Sequence, residues 1–141
     1  MKRVVLDTNV IVSAHLTPSG PSARTLLPGL AREYELCISN DVLTEYKEVL
    51  LRPKFKLVPE VIDGFLKAIT EIAILVQPTI IIKAARDPDD DKFLECAEAA
   101  NADYLVTWNL KDYPLKPVKY SSGKVLRILE PKEFLRFLDE L

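Results

Sequence analysis

The chain has few of the residues that build soft-metal sites or disulfide frameworks. Its 141 residues include one histidine, His15, and two cysteines, Cys37 and Cys96, which are too far apart for a CxxC motif. A zinc centre usually takes three or four histidine or cysteine ligands, so the composition argues against one. We interpret the two cysteines as small, buried apolar residues.

The chain also lacks a long hydrophobic run and an excess of positive charge. No apolar run approaches the ~20 residues that a membrane helix needs, and the apolar stretch after Met1 is too short for a signal peptide. We therefore expect a cytoplasmic protein without a membrane partner. The net charge of −2 excludes attachment to nucleic acid by bulk positive charge, although bound divalent cations can supply that charge locally.

Apolar residues make up 48% of the chain, which is enough for the core of a single domain spanning 1–141. Short β-branched runs alternate with amphipathic helical patterns. The predicted strands are Arg3 to Leu6, Glu35 to Ser39, Thr79 to Lys83, Tyr104 to Thr107 and Val125 to Leu129. The predicted helices are Ser22 to Tyr34 with an interruption at Pro28, Asn40 to Arg52, Pro59 to Leu75, Asp90 to Ala100, and one opening at Pro131. This alternation predicts a parallel sheet covered on both faces.

Several polar residues follow predicted strands directly. In sheets of this kind, ligands gather outside the carboxyl ends of the strands. Asp7 follows the first strand, with Asn9 two residues on, and Asn109 follows the strand that starts at Tyr104. Glu45 lies at the edge of the buried face of the helix from Asn40. Each of these residues, taken alone, is equally typical of a turn, a cap or a helix boundary.

A dense acidic cluster precedes the fourth predicted helix. It consists of Asp87, Asp89, Asp90 and Asp91. If the helix begins near Asp89, Asp90 shares the apolar face of Phe93 and Leu94 and points at the sheet. Asp91 shares a face with Glu95, which we expect to be solvated, while Asp87 and Asp89 are candidate caps. A capped helix start with surplus surface charge remains the plainer interpretation.

The acidic and amide residues are more informative together than singly. Asp7, Glu45, Asp90 and Asn109 all map to one edge of the predicted sheet. Buried acids are unstable unless they are protonated or neutralised by a cation. Hard oxygen ligands suit Mg²⁺ or Mn²⁺, so the pattern predicts a magnesium or manganese site.

The sequence resembles the PIN domain (PilT N-terminus-like) family, a small nuclease module. The resemblance covers nearly the whole chain. Its motifs are VVLDTNVIVSA (Val4 to Ala14), LTEY (Leu43 to Tyr46), DPDDDKFLECA (Asp87 to Ala97) and ADYLVTWNLKDY (Ala102 to Tyr113). The resemblance implies a three-layer α/β/α sandwich with a parallel sheet of about five strands. It also implies a Mg²⁺- or Mn²⁺-dependent endoribonuclease that acts on RNA. The subgroup it is most similar to consists of toxins of toxin–antitoxin pairs, which implies a protein antitoxin and a homodimer as partners.

The acids of the family transfer residue by residue onto this chain. The first aspartate falls on Asp7, the helix glutamate on Glu45, and the third acid on Asp90, with Asp91 as the fallback. These residues are the implied metal ligands and catalytic residues.

The fourth acidic position of the family departs from the pattern. It falls on Asn109, where many members carry aspartate. The amide offers a carbonyl oxygen but removes one negative charge, and Asp112 in the same loop is an alternate ligand. Asn9 and Thr107 match positions that support the site.

Two other functions stay open at this point. One is a catalytically weakened PIN-like RNA-binding module, with Asn109 marking lost catalysis. The other is a haloacid-dehalogenase-like phosphatase with Asp7 as the nucleophile, although Asn9 occupies the position where that chemistry needs a second acid.

The surface that would contact RNA is not fixed by the sequence. Candidate cations are Arg24, Lys47, Arg52, Lys54, Lys56, Arg86 and Lys111, and scattered solvated charge is the plainer interpretation of them. Tyr113 and Trp108 are candidates to stack on bases, and Trp108 is equally suited to the core. The helix from Pro59 offers an apolar surface for a homodimer.

Overall fold

The computed structural model describes residues 1–114 and 117–140, and within them the predicted α/β fold is confirmed. The strands are β1 (Arg3–Leu6), β2 (Glu35–Ile38), β3 (Ile74–Leu75), β4 (Tyr104–Val106), β5 (Val118–Lys119) and β6 (Val125–Leu129). The helices are α1 (Thr8–Leu16), α2 (Pro21–Leu30), α3 (Asn40–Leu50), α4 (Pro59–Ile72), α5 (Asp91–Ala100) and α6 (Pro131–Phe137). Short 3₁₀ turns lie at Pro53–Phe55, Pro88–Asp90, Leu110–Asp112 and Leu138–Glu140.

The strands form one sheet in the order β3-β2-β1-β4-β6-β5. The first five strands in that order run parallel, and β5 pairs antiparallel with β6 at the edge. Val4 of β1 pairs with Leu36 on one side and with Tyr104 on the other. Consecutive strand residues point to opposite faces, and Val4, Val5 and Leu6 are all buried. Both faces of the central strand are therefore covered, as in a three-layer sandwich.

Helix α1 was not among the predicted helices. The run from Val10 to Val12 is buried throughout, so it lacks the polar face that gives a surface helix its period. A short apolar run of this kind cannot be assigned to helix or strand by periodicity alone. The next helix, α2, begins at Pro21, which suits a first helical position because proline has no N–H to leave unpaired.

The strand predicted at Thr79 to Lys83 is wrong. The chain forms β3 earlier, at Ile74–Leu75, directly after α4 ends at Ile72, and so the helix predicted to reach Leu75 is also too long. Ile74 pairs with Cys37 of β2. A β-branched run forms a strand only where a partner strand accepts its hydrogen bonds, and among the described residues the sheet ends at β3, with which residues 79–83 do not pair.

Two carboxylates of α5 take the place of a partner strand for the segment after β3. Asp91 Oδ1 accepts the backbone N–H groups of Ala84 and Ala85 at 3.0 and 2.7 Å. Glu95 Oε2 accepts the N–H of Ile82 at 3.0 Å. The expectation that Asp91 and Glu95 form a solvated face is therefore wrong, because both hold this segment against α5.

Within residues 1–114 and 117–140, every helix is too short or too polar to cross a membrane.

Replacing Asp91 with alanine removes the acceptor of two backbone N–H groups. We expect the amide hydrogens of Ala84 and Ala85 to exchange roughly tenfold faster or more, because a hydrogen bond to a charged group is lost. Hydrogen exchange followed by NMR measures this. Asp63→Ala, an exposed change on α4, is the control, and equal exchange rates in the two variants would contradict the assignment.

Candidate functional site

A cavity of about 460 Å³ opens at the carboxyl ends of the parallel strands. It is lined by Asp7, Thr8, Asn9, Val12, Ser13, Leu16, Thr17, Glu45, Val49, Arg52, Phe55, Asp87, Asp89, Asp90, Asn109 and Asp112. The predicted residues Asp7, Glu45, Asp90 and Asn109 thus meet at one cavity. They come from four separate parts of the chain, which the parallel topology brings to one edge.

Asp7 is the most deeply placed acid of this cavity, with only 4% of its surface exposed. Its backbone N–H continues the ladder from β1 to β4 by donating to Val106 O at 2.9 Å. Its carboxylate Oδ2 accepts two hydrogen bonds, from the Thr107 and Tyr113 hydroxyls, each at 2.9 Å. The carboxylate is therefore fixed in orientation by one residue beside its strand and one from the following loop.

Burial raises the pKa of Asp7 above its ordinary value, and the nearby Glu45 charge raises it further. The hydrogen bonds from Tyr113 and Thr107 act in the opposite direction, because they stabilise the charged carboxylate. The net increase means that burial outweighs these donors.

Asp90 has the more strongly shifted pKa, which rises to about 7. Partial burial is the largest cause, and repulsion from Asp7, Asp87, Asp112 and Glu45 follows. A carboxyl group with this pKa holds a proton for part of the time near neutral pH. A bound cation would replace that proton and relieve the repulsion.

The Thr107 hydroxyl connects the polar residues at the end of β4. It accepts from Asn9 Nδ2 at 3.2 Å and from the backbone N–H of Asn109 at 3.0 Å, while it donates to Asp7. Asn9 Oδ1 accepts the N–H of Trp108 at 3.0 Å. Asn9 and Thr107 therefore tie the loop after β1 to the loop after β4, and so fix the distance between them.

Both oxygens of Glu45 are engaged. The Thr8 hydroxyl donates to Oε2, and Lys92 Nζ donates to Oε1 at 2.9 Å. The Lys92 and Glu45 side chains are 25% and 18% exposed, so the ion pair is largely shielded from water. This arrangement holds Glu45 at the cavity wall with a local counter-charge.

The comparisons with known proteins agree with this geometry. The family model described as "PIN domain" matches residues 3–111. The chain belongs to the PIN domain family. PIN domains are generally nucleases.

Two known proteins are similar to this chain. The uncharacterized protein MJ1680 of Methanocaldococcus jannaschii is 28% identical over 139 residues, which cover 94% of this PIN domain chain and 89% of that protein. A chain in the crystal structure of VapBC2 from Rickettsia felis, bound to a DNA fragment from their promoter, matches with a TM-score of 0.50. It is 21% identical, and the match covers 89% of this chain and 98% of that chain. At that identity, the likeness shows the fold.

Asn109, which the resemblance aligns with an acidic position of the family, is exposed at the cavity. It precedes the 3₁₀ turn Leu110–Asp112, which brings Asp112 to the same cavity. The backbone oxygen of Asp112 accepts the N–H of Arg86 at 2.7 Å. This bond ties the loop after β4 to the acidic segment that carries Asp90.

Two of the other predicted residues, Tyr113 and Asp91, have positions that differ from those expected, whereas Trp108 matches one of its two interpretations. Tyr113 is buried and bonded to Asp7, so it is not available to stack on a base. Trp108 donates from Nε1 to Ser22 Oγ at 2.8 Å and packs against the core, which was the second of its two interpretations. Asp91, the fallback for Asp90, lies outside the cavity and holds the segment before it.

Sequence reasoning missed three contacts to the acids of this PIN domain, those of Thr8 and Lys92 with Glu45 and that of Tyr113 with Asp7. Lys92 is the single cation between Asp87 and Glu98 in the sequence. A lone lysine in an acidic segment is a sequence signal that could have identified it as a partner of an acid. The sequence around Tyr113 carries no comparable signal, because its hydrogen bond to Asp7 depends on how the loop after β4 folds.

The donor set of the cavity fits a hard divalent cation. Within residues 1–114 and 117–140, no three His, Cys, Asp or Glu side chains are arranged to hold an ion by themselves. Mg²⁺ commonly binds through one or two carboxylates, while waters and substrate phosphates complete its coordination. Asp90, whose pKa the nearby Asp7 charge raises, and Asp7 itself are the two carboxylates that fit this mode best.

The raised pKa of Asp90 predicts a pH-dependent stability in metal-free protein. The pKa lies at about 7 in the folded state against 3.8 for the free group. The folded state therefore binds more protons between these values, and stability falls as pH rises through this window. Asp90→Asn removes the charge, so we expect it to be more stable than the parent above about pH 7, by on the order of 1–2 kcal/mol after solvent screening.

Chemical unfolding across a pH series in the presence of a chelator measures this difference, which should shrink toward zero near pH 4 because the parent carboxyl is then protonated as well. Asp89→Asn, in the same acidic turn but exposed, is the matched control. If the stability of Asp90→Asn and that of the parent change equally with pH, then the Asp90 charge does not destabilise the folded state.

Proposed function

We propose that this PIN domain is a Mg²⁺- or Mn²⁺-dependent endoribonuclease that hydrolyses RNA phosphodiesters in the cytoplasm. The observation that carries the proposal is the meeting of Asp7, Glu45 and Asp90 at one cavity. The pKa values of Asp7 and Asp90 are raised there, so the site favours binding of positive charge.

Each residue of the cavity has a distinct role in this proposal. Asp7 and Asp90 provide the carboxylate ligands. They would hold a divalent ion, which would supply an activated water and neutralise charge on the phosphate. Glu45, held at the cavity wall by Thr8 and Lys92, would accept a hydrogen bond from that water and orient it. Asn109 offers its amide oxygen from the opposite loop.

We further propose that the protein is the toxin of a toxin–antitoxin pair. The likeness to a chain of VapBC2, whose crystal structure includes promoter DNA, supports a protein antitoxin as the partner. A homodimer through α4 is part of the same proposal, since Val61 on that helix is exposed and apolar.

Asp7→Asn tests the nuclease proposal directly. The amide keeps the size of the side chain and can still accept from Thr107 and Tyr113, so the fold should be retained. We expect RNA cleavage to fall by about a hundredfold or more, because a charged ligand of the ion is lost. Cleavage of labelled RNA in the presence of Mn²⁺ measures this.

The control is Asp63→Asn, an exposed change on α4, purified in parallel to detect contaminating nuclease. Undiminished cleavage by Asp7→Asn would remove Asp7 from the catalytic site. If the parent binds Mn²⁺ and RNA without turnover, the RNA-binding module is the better description.

Lys92 partly neutralises the negative charge of Glu45 near the proposed ion site. Lys92→Met removes a positive charge close to the ion site, so we expect the affinity for Mn²⁺ to rise by roughly tenfold. The metal-free protein should at the same time become less stable, because Glu45 loses its partner. Calorimetric titration with Mn²⁺ and unfolding in a chelator measure the two effects.

Lys92→Arg keeps the charge and should behave as the parent in both measurements. If Lys92→Met binds Mn²⁺ no better than Lys92→Arg does, then the Lys92 charge does not act on the ion site.

A further inference from the structure

The cavity extends well beyond its carboxylates. Asp7 lies at the start of α1 and Leu16 at its end, and both line the cavity. Nine residues of α-helix span roughly 13 Å. In the same way, Glu45 is followed along α3 by Val49, one turn later. The cavity thus continues along both helices, away from its acidic end, to a second end with a different lining.

The distant end of the cavity is apolar. It is lined by Val12, Leu16, Val49 and Phe55. Leu16 is 48% exposed, and Phe55 is half-buried. Apolar surface left in water is unfavourable, and here it is concentrated in a concave site that also holds the acids. An aromatic ring in such a site can stack on a nucleobase.

A single cation stands among the lining residues. It is Arg52, whose side chain is exposed and has no hydrogen bond or ion pair to any residue that the structure describes. A guanidinium group binds phosphate through two parallel hydrogen bonds. In a cavity rich in carboxylates, which repel phosphate, Arg52 is the position that attracts one.

The turn after α3 fixes Arg52 and Phe55 beside each other. Pro53 ends the helix, since it cannot donate to the helical ladder. The N–H of Phe55 donates to Arg52 O and the N–H of Lys56 donates to Pro53 O, each at 3.1 Å. Lys54 Nζ lies 5.1 Å from the centre of the Phe55 ring, which adds positive charge beside it. The RPKF sequence therefore places an aromatic ring next to cationic groups.

We propose that this end of the cavity is a nucleotide subsite for single-stranded nucleic acid. Phe55, with Val12, Leu16 and Val49, receives an unpaired base at a distance from the phosphate that is cut, and Arg52 binds a flanking phosphate. A base inside a duplex cannot reach such a site. The inference rests on the proposed nuclease function and deepens it, because it assigns the residues that receive a base and a flanking phosphate.

Binding can be measured without cleavage, in the Asp7→Asn protein, by fluorescence anisotropy of a short labelled single-stranded RNA. We expect Phe55→Ala to weaken binding by about tenfold, since it removes a base stack. Val58→Ala, an exposed apolar change three residues further along the chain and outside the cavity, should leave binding unchanged. Phe55→Trp should restore binding, which separates a stacking role from a loss of fold.

A matched pair of arginine variants tests the phosphate contact. Arg52→Met should weaken binding by about tenfold and reduce its dependence on salt, because one ionic contact is lost. Arg136→Met removes an exposed arginine of α6 that does not line the cavity, and it should have little effect on either quantity.

An RNA with one nucleotide replaced by an abasic residue locates the stacked base. One position should weaken binding to the Asp7→Asn protein by about tenfold and have no further effect when Phe55 is also alanine. The subsite is overturned if Phe55→Ala and Val58→Ala bind RNA equally, or if no abasic position depends on Phe55. If the parent cuts RNA but these variants show no effect, the subsite alone is wrong. If RNA binds in a Phe55-dependent manner but the parent never cuts it, the subsite stands and the nuclease proposal fails.

Discussion

The burial of one carboxylate at the end of the central strand is the constraint on which the rest of the site depends. Asp7 lies between β2 and β4, where water cannot hydrate it fully, so its charge must be stabilised by protein donors. Thr107 is available only because β1 and β4 pair in a register that places Leu6 opposite Val106. Tyr113 then closes over the same oxygen from the loop that follows. The fold and the site are thus determined by the same strand pairing.

The cavity concentrates more negative charge than its hydrogen bonds can stabilise. The Asp7 carboxylate has two hydroxyl donors and Glu45 has Lys92, whereas Asp90 is left with the repulsion of its neighbours. If Asp90 served only to cap a helix, a position away from other acids would cost less stability. The cost in stability is explained if the charge serves a ligand, as perturbed carboxyl groups in clefts commonly do.

The sequence predicts those parts of the molecule that depend on local periodicity. Asp7 follows from its place after a β-branched run, and Asp90 from its helical phase with Phe93. What it misses depends on tertiary partners. The run at Thr79 to Lys83 has the composition of a strand, but the N–H of Ile82 donates to Glu95 on α5 instead of to a strand. The bonds of Tyr113 to Asp7 and of Lys92 to Glu45 join distant segments, and no local pattern encodes such a contact.

Two features of this chain change the charge balance of the site in the same direction. Asn109 contributes a neutral amide instead of a carboxylate, and Lys92 places an ammonium group on Glu45. Each lowers the negative charge that a cation meets. A second divalent ion is attracted by the charge left after the first has bound, and that attraction decreases with every acid that is removed or paired. In the proposed function, this charge balance favours a single divalent ion, which Asp7 and Asp90 would hold, with Lys92 supplying positive charge on the Glu45 side.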